Sequence, residues 1–128
     1  MNIPIEEQLD AYTSFQTTEL FKRYGIETKH QGIFTVDGRD IRDLFSFTRD
    51  QLVDFLRAHP GRVESCLERS REFCGIYDKE ILEPQRDGYI LYCQDHDKRR
   101  DEIFYNHKFK AAADWFTTQY GMWLNEDV

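Results

Sequence analysis

Apolar positions along the chain recur mostly at three- and four-residue steps, the spacing that lines one face of an α-helix. Ile5, Leu9, Tyr12, Phe15, Leu20, Phe21 and Tyr24 form the first such stripe. Pro4 suits a first helical turn, and Glu6 and Glu7 follow where the positive end of the helix dipole favours acid. Thr13-Ser14 and Thr17-Thr18 weaken the middle of the stripe, so a break and restart is expected there, and Gly25 closes the helix. Ile33-Phe34-Thr35-Val36, bounded by Gly32 and by Asp37-Gly38, predicts a strand. Asp40 is then placed to cap a helical turn through Ile41, Leu44 and Phe45. Thr48 and Gln51 have capping-box spacing ahead of Leu52, Val53, Phe55 and Leu56, and Pro60 ends that helix near His59 by disfavouring helical geometry in its predecessor. Val63, Cys66, Leu67, Ser70, Phe73 and Cys74 predict a further helix that stops at Gly75.

After a less regular stretch through Pro84 the period changes. Tyr89-Ile90-Leu91-Tyr92-Cys93 is apolar and aromatic without polar alternation, as in a strand that is central or covered on both faces. Asp95-His96-Asp97-Lys98 reads as a turn and Glu102-Ile103-Phe104-Tyr105 as the returning strand, so a hairpin is expected. Asn106 is positioned to cap a last helix carrying Phe109, Ala112, Ala113, Phe116 and Tyr120 on one face, with Gly121 at its end. The expected fold class is α/β (α+β): a single helix-rich domain over residues 1–128, with a small sheet containing the antiparallel hairpin near 89–105 and a C-terminal helix.

Composition narrows the function classes. The chain has 128 residues, 40% of them hydrophobic and 15% aromatic, too much apolar surface for a disordered acidic segment. The mean hydropathy of −0.72 and apolar runs of only a few residues predict no membrane span, since crossing a bilayer takes roughly 20. Met1-Asn2-Ile3-Pro4-Ile5-Glu6-Glu7 lacks the basic and apolar regions of a secretory signal. Three cysteines, Cys66, Cys74 and Cys93, form an odd set that fits a reduced, cytoplasmic protein. Seventeen basic residues against 24 acidic ones give a formal charge of −7, which argues against direct nucleic-acid binding because phosphate backbones repel such a surface.

No catalytic motif stands out. Cys93 and His96, with Asp95, Asp97 and His107 nearby, sketch a metal site, but structural zinc takes four ligands and no C-x-x-C pair exists. Asp95-His96-Asp97 continues into Arg99 and Arg100 without the glycine of a calcium loop. Cys66 and Cys74 lie eight apart on one apolar stripe, which favours burial over reactivity. The carboxylate pairs Glu6/Asp10 and Asp50/Asp54 fall at i, i+4 on polar helix faces, where solvation explains them. Phosphate-binding glycine motifs are absent from the sequence. No cofactor and no metal are expected.

Surface recognition is what remains. Asp78, Glu80, Glu83, Asp87, Asp95, Asp97, Asp101 and Glu102 cluster between positions 78 and 102, interleaved with Tyr77, Tyr89, Tyr92 and Tyr105. Tyrosine rings supply contact area at low entropy cost, and carboxylates steer a basic partner. The acidic residues with Tyr77 and Tyr105 are the candidate partner-binding set. A second acidic group, Asp37, Asp40 and Asp43, sits at the predicted strand-to-helix junction.

The segment from Asp87-Gly88-Tyr89-Ile90-Leu91-Tyr92 through Phe104-Tyr105-Asn106-His107-Lys108-Phe109-Lys110-Ala111-Ala112-Ala113-Asp114-Trp115-Phe116, in a short acidic chain poor in cysteine, resembles the immunity proteins of bacterial contact-dependent growth inhibition and related polymorphic toxin systems. The resemblance implies a cytoplasmic antitoxin, not an enzyme, that binds a cognate toxin domain, often a basic nuclease, and occludes its active site or substrate surface. Lys98-Arg99-Arg100 departs from a uniformly acidic binding face. Two alternatives stand beside it: a small hydrolase or nuclease using Cys93, His96, Asp97 and His107, and a regulatory or nucleic-acid-mimic interaction module.

Overall fold

In the computed structural model, residues 3–26, 35–36, 39–40, 44–76, 79–96 and 98–120 are described. Helix α1 (Ile5–Ser14) follows Pro4 directly and ends at Phe15, which adopts the left-handed conformation with φ 58°. That geometry is costly for a bulky side chain. Its ring is engaged on several sides, stacked on Tyr120 at 5.8 Å and set against Trp115 and Phe116. The chain restarts as α2 (Thr17–Arg23), so the weak middle of the stripe is a true break, and Gly25 follows with φ 77°.

Strands β1 (Thr35–Val36) and β2 (Arg39–Asp40) pair antiparallel. Asp40 lies in β2, and residues 41–43 of the turn it was expected to cap lie outside the described residues. Ile33, Phe34, Asp37 and Asp43 lie outside the described residues, as do Ile41 and Gly121.

The capping box is formed. Thr48 Oγ1 accepts from Gln51 N–H at 3.1 Å, and Gln51 Oε1 accepts from Thr48 N–H at 2.9 Å, opening α3 (Arg49–Ala58). His59 separates it from α4 (Pro60–Phe73), where Pro60 occupies the first turn, the position at which a missing N–H costs nothing. Cys66 is buried on α4, whereas Cys74 is exposed, contrary to the shared apolar stripe. The helix ends at Phe73, and the extended backbone of Cys74 (φ −58°, ψ 126°) carries its side chain off the helical face.

The stretch that lacks sequence periodicity is a strand, β3 (Lys79–Gln85). Its two buried residues, Ile81 and Leu82, are adjacent and so face opposite sides, which erases any alternation. Pro84 is tolerated because β3 is an edge strand. With β4 (Gly88–Asp95) and β5 (Lys98–Tyr105) it makes an antiparallel sheet of order β3-β4-β5. The expected hairpin is present, β4 is central as its unbroken apolar run implied, and β5 begins four residues before the expected Glu102. Helix α5 (Lys108–Gln119) follows, capped by His107 and not by Asn106: His107 Nδ1 accepts from Lys110 N–H at 3.2 Å.

The fold is mixed α+β, with helices against one face of the three-stranded sheet. Leu82 and Leu91 are cross-strand partners and carry that inner face into a core shared with residues of all five helices. Each large side chain fully buried there, Trp115, Phe21 and Phe116 among them, stabilises by roughly 1.5–3 kcal/mol. Ala111, Ala112 and Ala113 are all buried, and their small size lets α5 approach its neighbours closely. Polar contacts join the layers as well: Leu82 N–H donates to Ser70 Oγ at 3.0 Å, and Trp115 Nε1 donates to the Glu80 carbonyl at 3.0 Å.

Candidate binding surface

Directly paired residues of an antiparallel sheet share a face, so the register sorts the hairpin side chains. The inner face carries Leu82, Leu91 and Ile103 in one row and Glu80, Cys93 and Arg100 in another. The outer face carries Glu83, Ile90 and Phe104 in one row, with Ile81 and Tyr92 beside them.

Among the described residues strand β5, like β3, is an edge of this sheet. Leu91 pairs with Ile103 and Cys93 with Arg100, so a bulge sets both Asp101 and Glu102 against Tyr92. Asp101 takes the left-handed conformation there, with φ 57°. A bulge of this kind twists an edge and discourages strand addition from another chain. Just beyond it are the two most exposed large apolar side chains of the sheet, on opposite faces: Phe104 outward at 57% and Ile103 on the inner face at 46% of full exposure. The Phe104 ring also crosses over Gly88, where a Cβ would lie 2.9 Å from it.

The candidate partner-binding residues divide into distinct environments. Glu83 is ion-paired with Arg99 at 2.8 Å, and the Arg99 guanidinium lies 4.4 Å over the Tyr92 ring. Asp95 faces Arg100 at 3.6 Å, and Arg100 reaches Asp101 at 3.9 Å and the Cys93 sulfur at 3.2 Å. Glu80 is half-buried, and its carboxyl pKa is raised, chiefly by burial; a hydrogen bond with Cys93 and the charge of Arg100 oppose the rise. Asp87, in the β3–β4 turn, and Glu102 are exposed and make no ion pair among the described residues. Tyr77, Asp78 and Asp97 lie outside the described residues. Tyr105 is half-buried, with its hydroxyl donating to Asp114 Oδ2 at 2.7 Å, so it anchors the sheet to α5.

Two of the three basic residues at the hairpin tip are thus engaged by the sheet's own carboxylates. What the sequence reading missed is Phe104 and Ile103. The signal available was their adjacency on the returning strand: two consecutive large apolar residues face opposite sides, and on an edge strand with helices on one side only, cover is incomplete.

Among the described residues of the alternative hydrolase site, His107 lies far from Cys93 and His96. Tyr105 pairs with Tyr89 at one end of the hairpin and Asp95 with Lys98 at the other, so His107 and His96 are separated by about 20 Å of strand. His107 is committed to the α5 cap and to Arg57, its Nε2 lying 3.4 Å from the guanidinium. Among the described residues no group of three or more His, Cys, Asp or Glu side chains could hold a metal ion. Likewise, no helix there is long and apolar enough to cross a membrane.

Compared with known proteins, the chain matches no family model, no curated protein and no solved structure.

Proposed function

We propose that this chain is an acidic binding protein that neutralises a cognate toxin domain, one with a basic, nuclease-type active-site surface, by covering it. The observation that carries the reading is Phe104, exposed on the outer face of the β5 edge close to the carboxylates Asp101 and Glu102, with Ile103 exposed on the opposite face of the same edge. Apolar side chains bordered by charge are the composition of a protein contact: the ring supplies the slow off-rate, and the formal charge of −7 supplies long-range attraction to a cationic partner. A nuclease must present cations to phosphate, and an acidic inhibitor occupying that basin excludes the substrate both sterically and electrostatically. The location expected for such an inhibitor is the cytoplasm, where it meets the toxin.

The test is inhibition of the polypeptide encoded beside this chain, assayed for nuclease activity with and without equimolar purified protein. Stoichiometric inhibition that weakens with added salt supports the reading. Full activity in the presence of a folded excess of this chain contradicts it.

A further inference from the structure

We infer that the groove between α1 and α3 is a receptor for an arginine side chain presented by a partner protein. The inference extends capture of a basic protein to a second surface, and it rests on the proposed function only for that partner's chemistry. The groove holds about 320 Å³ and has an apolar floor of Ile5, Leu9, Phe55 and Ala58, with Glu6, Asp54 and His59 at its margin. Gln8 fixes its shape. The Gln8 amide donates to the Ile3 carbonyl at 2.8 Å and to Ser46 Oγ at 3.0 Å, and its Oε1 accepts from Ser46 N–H at 2.8 Å, fastening α1 to the segment that leads into α3.

Charge decides the occupant. Glu6 is exposed and makes no ion pair among the described residues. Asp54 meets Arg57 at 2.9 Å, but that guanidinium is drawn toward α5, over the Phe109 ring at 5.5 Å and against His107. The groove is therefore apolar below and net negative at the rim. An aliphatic stem can lie on Leu9 and Ala58 while its cationic head meets the two carboxylates. The His59 ring, stacked on Phe55 at 4.1 Å, adds a flat surface that suits a planar guanidinium better than an ammonium. Glu6 and Asp54 come from two different i, i+4 pairs that the sequence explains as solvated faces, and the fold brings one member of each to the same groove.

The test is titration of the isotopically labelled full chain with Nα-acetyl-arginine methylamide, followed by amide chemical shifts. Saturable shifts are expected at Leu9, Asp54 and Ala58, with Kd on the order of 1–10 mM, as befits so small a probe. The exposed double substitution Glu6→Gln with Asp54→Asn should weaken binding about tenfold or more with the spectrum otherwise unchanged, and the uncharged norleucine analogue should not bind. Phe104→Ala should leave the titration unaltered. Shifts confined to the sheet, or shifts that persist in the double variant, overturn the assignment and leave the sheet-edge reading untouched.

Discussion

Arg49 and Asp114 meet through two parallel contacts, Nε to Oδ1 at 2.8 Å and Nη2 to Oδ2 at 2.9 Å, across 65 residues of sequence. Tyr105 completes the junction by donating to the same Oδ2. The first turn of α3, the middle of α5 and the last residue of β5 are thereby fixed to one carboxylate, and the exposed Phe104 is covalently next to that anchor. A contact residue on an edge strand is useful only if its backbone is held, and this network holds it.

Removing Arg49 should therefore cost more than an ordinary surface ion pair. Both side chains are partly buried, and among the described residues Arg49→Ala leaves Asp114 with Tyr105 as its remaining side-chain hydrogen-bond partner. A loss of about 1–3 kcal/mol is expected in denaturant unfolding. A change within about 0.5 kcal/mol would show that the junction contributes no more than an exposed pair.

Alkaline pH should unfold the protein cooperatively. Burial raises the phenol pKa of Tyr12, Tyr105 and Tyr120 above the ordinary 10.0, and for Tyr105 the hydrogen bond to Asp114 adds to the rise. Since the folded pKa exceeds the unfolded one, the associated stability is complete below pH 10 and declines as pH climbs toward the folded values. Phenolate absorbance and loss of near-ultraviolet circular dichroism should rise together above pH 10. Ionisation of these three tyrosines near pH 10 in a folded protein would contradict the packing described.

Glu80→Gln has the opposite sense. Its carboxyl is raised mainly by burial, so the ionised form is a cost of the fold at neutral pH that disappears as the pH falls below the ordinary carboxyl value. The variant should melt at or above the wild-type temperature at pH 7, with the difference fading toward pH 4. A lower melting temperature at pH 7 would mean that the Cys93 and Arg100 contacts outweigh desolvation.

Gly88→Ala tests how Phe104 is placed. A Cβ at residue 88 would clash with the Tyr105 carbonyl oxygen, a backbone atom, and lie 2.9 Å from the Phe104 ring, so the β4–β5 end must shift. About 1–3 kcal/mol of destabilisation is expected from such overpacking, with altered shifts of the Phe104 ring protons. An unchanged spectrum would mean that the ring does not lie over Gly88.

Much of the helical layer was legible because its signals are local. The Thr48/Gln51 box, the Pro60 boundary, and the glycines at 25 and 75 each act within a few residues. Strand β3 was hidden because Ile81 and Leu82 are covered from different sides, one of them only in the assembled sheet. The acidic cluster was visible as composition, but its division was not: whether Arg99 neutralises Glu83 and Arg100 reaches Asp95 depends on register, which the bulge at Asp101 sets. The exposure of Phe104 was not legible because a sequence does not show which strand lies at the edge of its sheet.

The most direct test of the central claim is surface plasmon resonance of this chain against the polypeptide encoded beside it, comparing wild type, Phe104→Ala and Glu102→Lys at several salt concentrations. The account predicts that Phe104→Ala speeds dissociation at least tenfold, as expected for a contact worth about 1.4 kcal/mol or more. It also predicts that Glu102→Lys slows association and flattens its salt dependence. Binding with unaltered rates in both variants would contradict it.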